Sequence, residues 1–125
     1  MVTKQPICPD RIRRTPKRFS WLDHRLVSDH YSDRWTHAAA ALYLFLVTVA
    51  DARGMSYYAA RTLAQRLAMD EHTLIRTRNE LVDIGLIAYR KPLYQVLAID
   101  AEPIRQTGTL QSVEQIFKHL GEGRQ

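Results

Sequence analysis

Asp70–Gly85, DEHTLIRTRNELVDIG, decides how this chain of 125 residues is read. Asp70 is a good N-cap, because its carboxylate can take a free backbone N–H of the first turn and complements the helix dipole. Leu74, Leu81 and Ile84 recur at helical spacing and turn one stripe toward a core. His72, Ile75, Arg76 and Asn79 fall on the opposite side, close to one another along the helix. Gly85 then supplies a residue that tolerates positive φ where a helix stops. An apolar stripe behind and hydrogen-bonding side chains in front suit a helix that lies in a groove and reads its edges.

Working back from Asp70, Ser56 is placed to cap a helix running to about Leu67, with Ala60, Leu63, Ala64 and Leu67 on one face. Only Ala68 and Met69 separate that helix from Asp70, and so tight a connection predicts a helix-turn-helix. Working forward, Leu86-Ile87-Ala88-Tyr89 and Leu93–Ile99 flank Arg90-Lys91-Pro92 and read as two β-prone strands around a tight turn. Helix, helix, strand, turn and strand in this order resemble the winged helix-turn-helix superfamily. LAQRLAMDEHTLIRTRNELVDIGLIAY, from Leu63 to Tyr89, is similar to its pattern of leucines, capped recognition helix and GLI lead into the wing. The resemblance spans roughly residues 19–100 and is closest to winged helices of plasmid or phage replication initiators, primosome proteins and mobile-element regulators. It implies a mainly α fold with a small β-hairpin, and double-stranded DNA as partner. Ala68 departs from the pattern, since such turns often carry glycine and a left-handed backbone there would cost an alanine about 1–2 kcal/mol. The wing is also very short.

Charge placement adds a second element. Residues 1–20 hold Lys4, Arg11, Arg13, Arg14, Lys17 and Arg18 against Asp10 alone, which accounts for the whole net charge of +5. Pro6, Pro9 and Pro16 interrupt this stretch, so it cannot be one continuous helix. A flexible basic arm over residues 1–18, strapped to phosphates or a minor groove, is the functional expectation. A solubilising tail is the alternative. Cys8 is the single cysteine, so no internal disulfide is possible. The first twenty residues are basic and lack the apolar core of a secretory signal, and the apolar run 38–47 is too short to span a bilayer. A cytoplasmic protein without membrane contact is expected.

The core domain should run over residues 19–100. Thr36–Ala52 is apolar nearly all round, which predicts a buried central helix, with Gly54 as its C-terminal cap. Leu42, Phe45, Leu46, Leu63, Leu67, Leu74, Leu81, Leu86 and Ile99 should form the core. His24–Trp35 reads as a short helix or turn. His24, His30 and His37 with Asp23, Asp29 and Asp33 are the one cluster that could suggest a metal, but spacings of six and seven do not repeat a helix-borne ligand set. No metal and no cofactor is expected. Residues 101–125 read as a linker followed by an amphipathic helix, Leu110–Leu120. Leu110, Val113, Phe117 and Leu120 lie along its apolar side, which could pair with a second copy or dock on the same domain.

No glycine loop for phosphates, paired carboxylate site or nucleophile with a base stands out, so an enzyme is not expected. The leading expectation is sequence-specific duplex DNA binding, as a transcription regulator or a replication or transposition accessory factor. Arg76 would offer its bidentate fork to guanine, and His72, Thr73 and Asn79 would reach base edges. Phosphate candidates are Arg11, Arg13, Arg14, Lys17 and Arg18 on the arm, Tyr57, Arg61 and Arg78 in the helical part, and Arg90 and Lys91 on the wing. Arg78 flanks the reading face and could instead snorkel past the core stripe, and of the neighbours Tyr57 and Tyr58 one could pack over the hairpin while the other is merely exposed. The alternative is a winged-helix adaptor for protein partners, which the isoleucine at the centre of the reading face would suit. Single-stranded nucleic acid fits less well, because the arm lacks interleaved aromatics for stacking.

Overall fold

The computed structural model describes residues 3–99. The expected helix at Leu110–Leu120 and its pairing stripe lie outside them. Helix α1 (Arg25–Ser28) and a 3-10 turn (Tyr31–Asp33) lead into α2 (His37–Val49). After α2 come strand β1 (Met55–Tyr57), helix α3 (Ala60–Arg66) and helix α4 (Glu71–Ile84). Strands β2 (Ile87–Arg90) and β3 (Leu93–Val96) close the chain into a hairpin. The three strands form an antiparallel sheet in the order β1-β3-β2. A helix-turn-helix with a small β-hairpin behind it is a winged helix-turn-helix arrangement, as the sequence predicts.

Helix α2 starts where Thr36 accepts the Ala39 N–H on its hydroxyl oxygen at 3.1 Å. The same hydroxyl donates to Glu80 of α4 at 2.9 Å, and the Thr36 N–H donates to the other Glu80 oxygen at 2.6 Å. One carboxylate on α4 thus supports the start of α2, doing across two helices what a capping box does within one. Leu42, Tyr43, Leu46 and Val47 of α2, Leu63 of α3, and Leu74 and Leu81 of α4 share one core with Leu86, Ile87, Tyr94 and Ile99. Phe45 and Leu67, expected in the core, are partly buried and pack against it. Leu44 is 55% exposed, so α2 keeps one solvent-facing strip and is not buried all round.

Several boundaries differ from the sequence expectation: β2 takes in Arg90, which the sequence reads as turn, β3 stops at Val96 rather than Ile99, and both helices beside β1 are shorter. The sequence predicts a cap at Ser56, but Ser56 sits in β1 opposite Tyr94 of β3, and α3 begins only after Ala59. Helix α2 likewise ends at Val49, and Gly54 is not its cap but the last residue of the turn into β1. Gly54 has φ 85, and a Cβ on it would stand 2.6 Å from the Val96 carbonyl oxygen. A third strand too short to show a period of its own took Ser56 and Tyr57 from the start of the expected α3, while residues 50–54 form the turn that leads from α2 into it.

The turn between α3 and α4 has the geometry the helix-turn-helix spacing requires. Ala68 stands at φ 57, in the left-handed region. Its N–H donates to the Gln65 carbonyl at 3.3 Å, and the Met69 N–H reaches back to Ala64 at 3.0 Å. Helix α4 ends with the same pair of bonds. Gly85 at φ 92 donates to Val82 at 3.0 Å, and Leu86 donates to Leu81 at 3.1 Å. Both are Schellman terminations, one built on alanine and the other on glycine.

Candidate nucleic-acid interface

Asp70 caps α4, its Oδ1 accepting the Thr73 N–H at 2.6 Å. The bond to Thr73 holds the Asp70 carboxyl below its ordinary value, with smaller contributions from His72 and Arg76. The charged form therefore persists at the helix N-terminus, where it complements the dipole. Leu74, Thr77 and Leu81 bury the inner face of α4. That anchoring leaves His72, Ile75, Arg76, Asn79 and Asp83 exposed along the outer face.

Three of the four expected base readers, His72, Arg76 and Asn79, thus share one solvent face. Thr73 does not join them; it is partly buried on the flank, beside the carboxylate that caps the helix. Ile75 lies among the polar residues and is 41% exposed.

The expected phosphate contacts divide into groups. Arg11, Arg13, Arg14, Lys17 and Arg18 are all exposed on a stretch whose regular structure is a single 3-10 turn, Pro9–Arg11. At the root of this arm the Ser20 hydroxyl donates to the Thr48 carbonyl at 3.4 Å, near the C-terminal end of α2. A second group forms at one end of the sheet. Tyr57 pairs with Leu93 and Leu93 with Arg90, so Tyr57 and Arg90 flank Leu93 in one cross-strand row beside the Lys91–Pro92 turn. Paired residues on adjacent strands project to the same side of a sheet. Tyr57 is 71% exposed, whereas Tyr58 packs edge-on against Phe45 with ring centroids 5.3 Å apart. The strand that separates Tyr57 from Tyr58 is not visible in the sequence.

Arg61 is exposed and loosely paired with Glu71 of α4 at 3.7 Å. Of the two readings open for Arg78, the inward one is what the fold adopts. Its guanidinium does not stand free on the surface but lies 3.9 Å over the Tyr89 ring, and Nη1 donates to the Tyr94 hydroxyl at 3.2 Å. The residue sits where the helical period turns it toward the sheet, which the sequence alone could not assign to a partner. Burial pushes the Tyr94 phenol above its ordinary value, with the Arg78 bond opposing, so the guanidinium meets a neutral hydroxyl.

The cluster weighed for a metal is used locally. Asp23 forms a bidentate pair with Arg25, and His30 Nδ1 lies 2.9 Å from Asp33. Among the described residues no group of three or more His, Cys, Asp and Glu could hold a metal ion, and no helix is long and apolar enough to cross a membrane.

Residues 36–87 match the family described as a helix-turn-helix domain, a span that runs from the cap of α2 into β2. A solved structure described as a Rep–DNA complex is 16% identical, with a TM-score of 0.46, over 85% of this chain and 89% of that one. No curated protein matches the sequence.

Proposed function

We propose that this chain is a sequence-specific double-stranded DNA-binding protein that acts as a transcription regulator or as a replication or transposition accessory factor. The observation that carries the reading is the outer face of α4, where His72, Arg76 and Asn79 stand exposed on a helix fixed from behind by Leu74, Thr77 and Leu81. In this arrangement α4 enters the major groove. Arg76 presents two parallel donors to a guanine, Asn79 suits the donor–acceptor pair of an adenine, and His72 reaches a further base edge. Thr73, partly buried on the flank, contributes to the reading face only at its edge. Tyr57, Arg90 and Lys91 meet phosphate from the sheet, Arg61 from the helical side, and Arg11, Arg13, Arg14, Lys17 and Arg18 from the arm. Binding rather than catalysis is the activity, in the cytoplasm, without metal or cofactor. Leu110, Val113, Phe117 and Leu120, outside the described residues, recur at helical spacing in the sequence and would suit pairing with a second copy in a homodimer.

Selection of bound duplexes from a random pool tests this directly. A defined motif is expected, and a palindromic one if two copies bind together. A pool that stays random after repeated rounds refutes the reading. The competing adaptor role is favoured by one observation, the exposure of Ile75 at the centre of the face. An adaptor would leave the pool unenriched while retaining a folded helix-turn-helix.

A further inference from the structure

Arg78 links the reading helix to the hairpin. It lies one turn from both Leu74 and Leu81 on the inner flank of α4. Its guanidinium stacks 3.9 Å above Tyr89 of β2 and bonds the Tyr94 hydroxyl of β3 at 3.2 Å. Tyr89 and Tyr94 are register partners, with ring centroids 4.6 Å apart, and Tyr94 is 1% exposed. None of the ion pairs among the described residues includes Arg78, so the ring and the hydroxyl fix its orientation without a competing carboxylate. Its Nε is buried without an acceptor, a cost accepted where the rest of the group is held firmly. Lysine could supply the charge but not the flat stacking surface together with a directed donor.

The position of this clamp gives it a consequence at the surface. Tyr89 immediately precedes Arg90, and only Lys91 and Pro92 separate Arg90 from its partner Leu93. A turn so short has little freedom beyond that of the strands that carry it. We propose that Arg78 is a positioning residue, which fixes the Arg90–Lys91 turn relative to the outer face of α4 so that phosphate and base contacts are made together. The proposal rests on the DNA-binding reading above.

A double-mutant cycle on the selected duplex tests it, with affinity followed across a salt series and folding followed by thermal melts. The proteins are the full chain, Arg78→Met, Tyr94→Phe, the Arg90→Ala/Lys91→Ala pair, and that pair combined with Arg78→Met. Arg78→Met should weaken binding about tenfold, within the usual range for coupled residues. It should also flatten the slope of log affinity against log salt by about 0.9 for each phosphate no longer neutralised. In the alanine-pair background the same change should cost less than about twofold, because the side chains it positions are already absent. Tyr94→Phe keeps the ring and removes the hydroxyl; it should act in the same direction, and it decides the matter if Arg78→Met does not fold. Equal losses in both backgrounds overturn the proposal, as does an unchanged salt slope in folded Arg78→Met or Tyr94→Phe. An alanine pair that binds like the unaltered chain overturns it too. Failure of the unaltered chain to bind any duplex refutes the DNA reading itself, and the two failures are therefore distinct.

Discussion

The turn between α3 and α4 offers a prediction with an internal control. Ala68 and Gly85 occupy equivalent places in two Schellman terminations, at φ 57 and φ 92. For an L-residue the left-handed region costs about 1–2 kcal/mol, and glycine escapes that cost. Glycine also loses about 0.4–1 kcal/mol more than alanine by giving up a freer unfolded chain. The difference leaves Ala68→Gly more stable by about 0.5–1 kcal/mol, provided the methyl group makes no contact worth keeping. Ala68 is exposed, so removing its methyl group sacrifices little packing. At Gly85 an added Cβ would meet nothing within 4 Å, so the cost of Gly85→Ala is conformational alone and of similar size. For a domain near this length such changes move the melting temperature by about 2–5 °C. Melts of the two single variants and of the pair should therefore show a rise, a fall and near-cancellation, since separate sites add. A lower melting temperature for Ala68→Gly would refute the left-handed turn, and with it the spacing that sets α4 against α3.

Other consequences of the architecture are open to direct measurement. Leu81→Ala should cost about 2–5 kcal/mol in urea unfolding, because Leu81 is fully buried between α4 and the rest of the core. Arg76→Ala should lose about 1–3 kcal/mol on the preferred duplex and relax discrimination at one base pair, as read by competition with single-base variants. Removing residues 1–18 should weaken all duplexes alike and flatten the salt slope by about 0.9 per phosphate released, leaving base preference intact. Asp70 is held below its ordinary value of 3.8, so its contribution to stability is complete above that pH and is lost as pH falls through the lower native value. Melting temperatures followed downward through about pH 4 should therefore decline less in Asp70→Asn than in the unaltered chain.

The elements legible in the sequence are those whose signal is local or strongly periodic. Asp70 and Gly85 bracket α4 because capping and the left-handed stop act within one turn, and the structure has both. The leucines that name the core do so because a helical stripe repeats, and α4 buries Leu74 and Leu81 as expected. Strand β1 escaped for the opposite reason. Three residues, Met55–Tyr57, carry no measurable alternation, and the strand exists only because β3 offers a ladder from a segment almost forty positions later. Ser56 illustrates the conflict. Its side chain is a good helix cap in isolation, yet in β1 its hydroxyl oxygen is buried without a hydrogen-bond partner. Pairing to β3 outweighed a cap that local chemistry favoured.

The same distinction runs through the candidate interface. His72, Arg76 and Asn79 could be grouped from spacing alone, since exposure on one helix follows from what the other side buries. Tyr57, Arg90 and Lys91 could each be named, but not assembled, because their grouping depends on the register Tyr57–Leu93–Arg90 across three strands. Arg78 marks the limit. On the helical wheel it falls between the buried stripe and the outer face, a position from which a long side chain can turn either way. Only the aromatic pair brought beneath it by the β2–β3 register decides the direction, because stacking on Tyr89 and bonding Tyr94 satisfy shape and charge at once. A basic residue on the flank of such a helix is therefore not a phosphate contact by composition. It becomes one, or becomes the brace for another, according to the surface the fold places next to it.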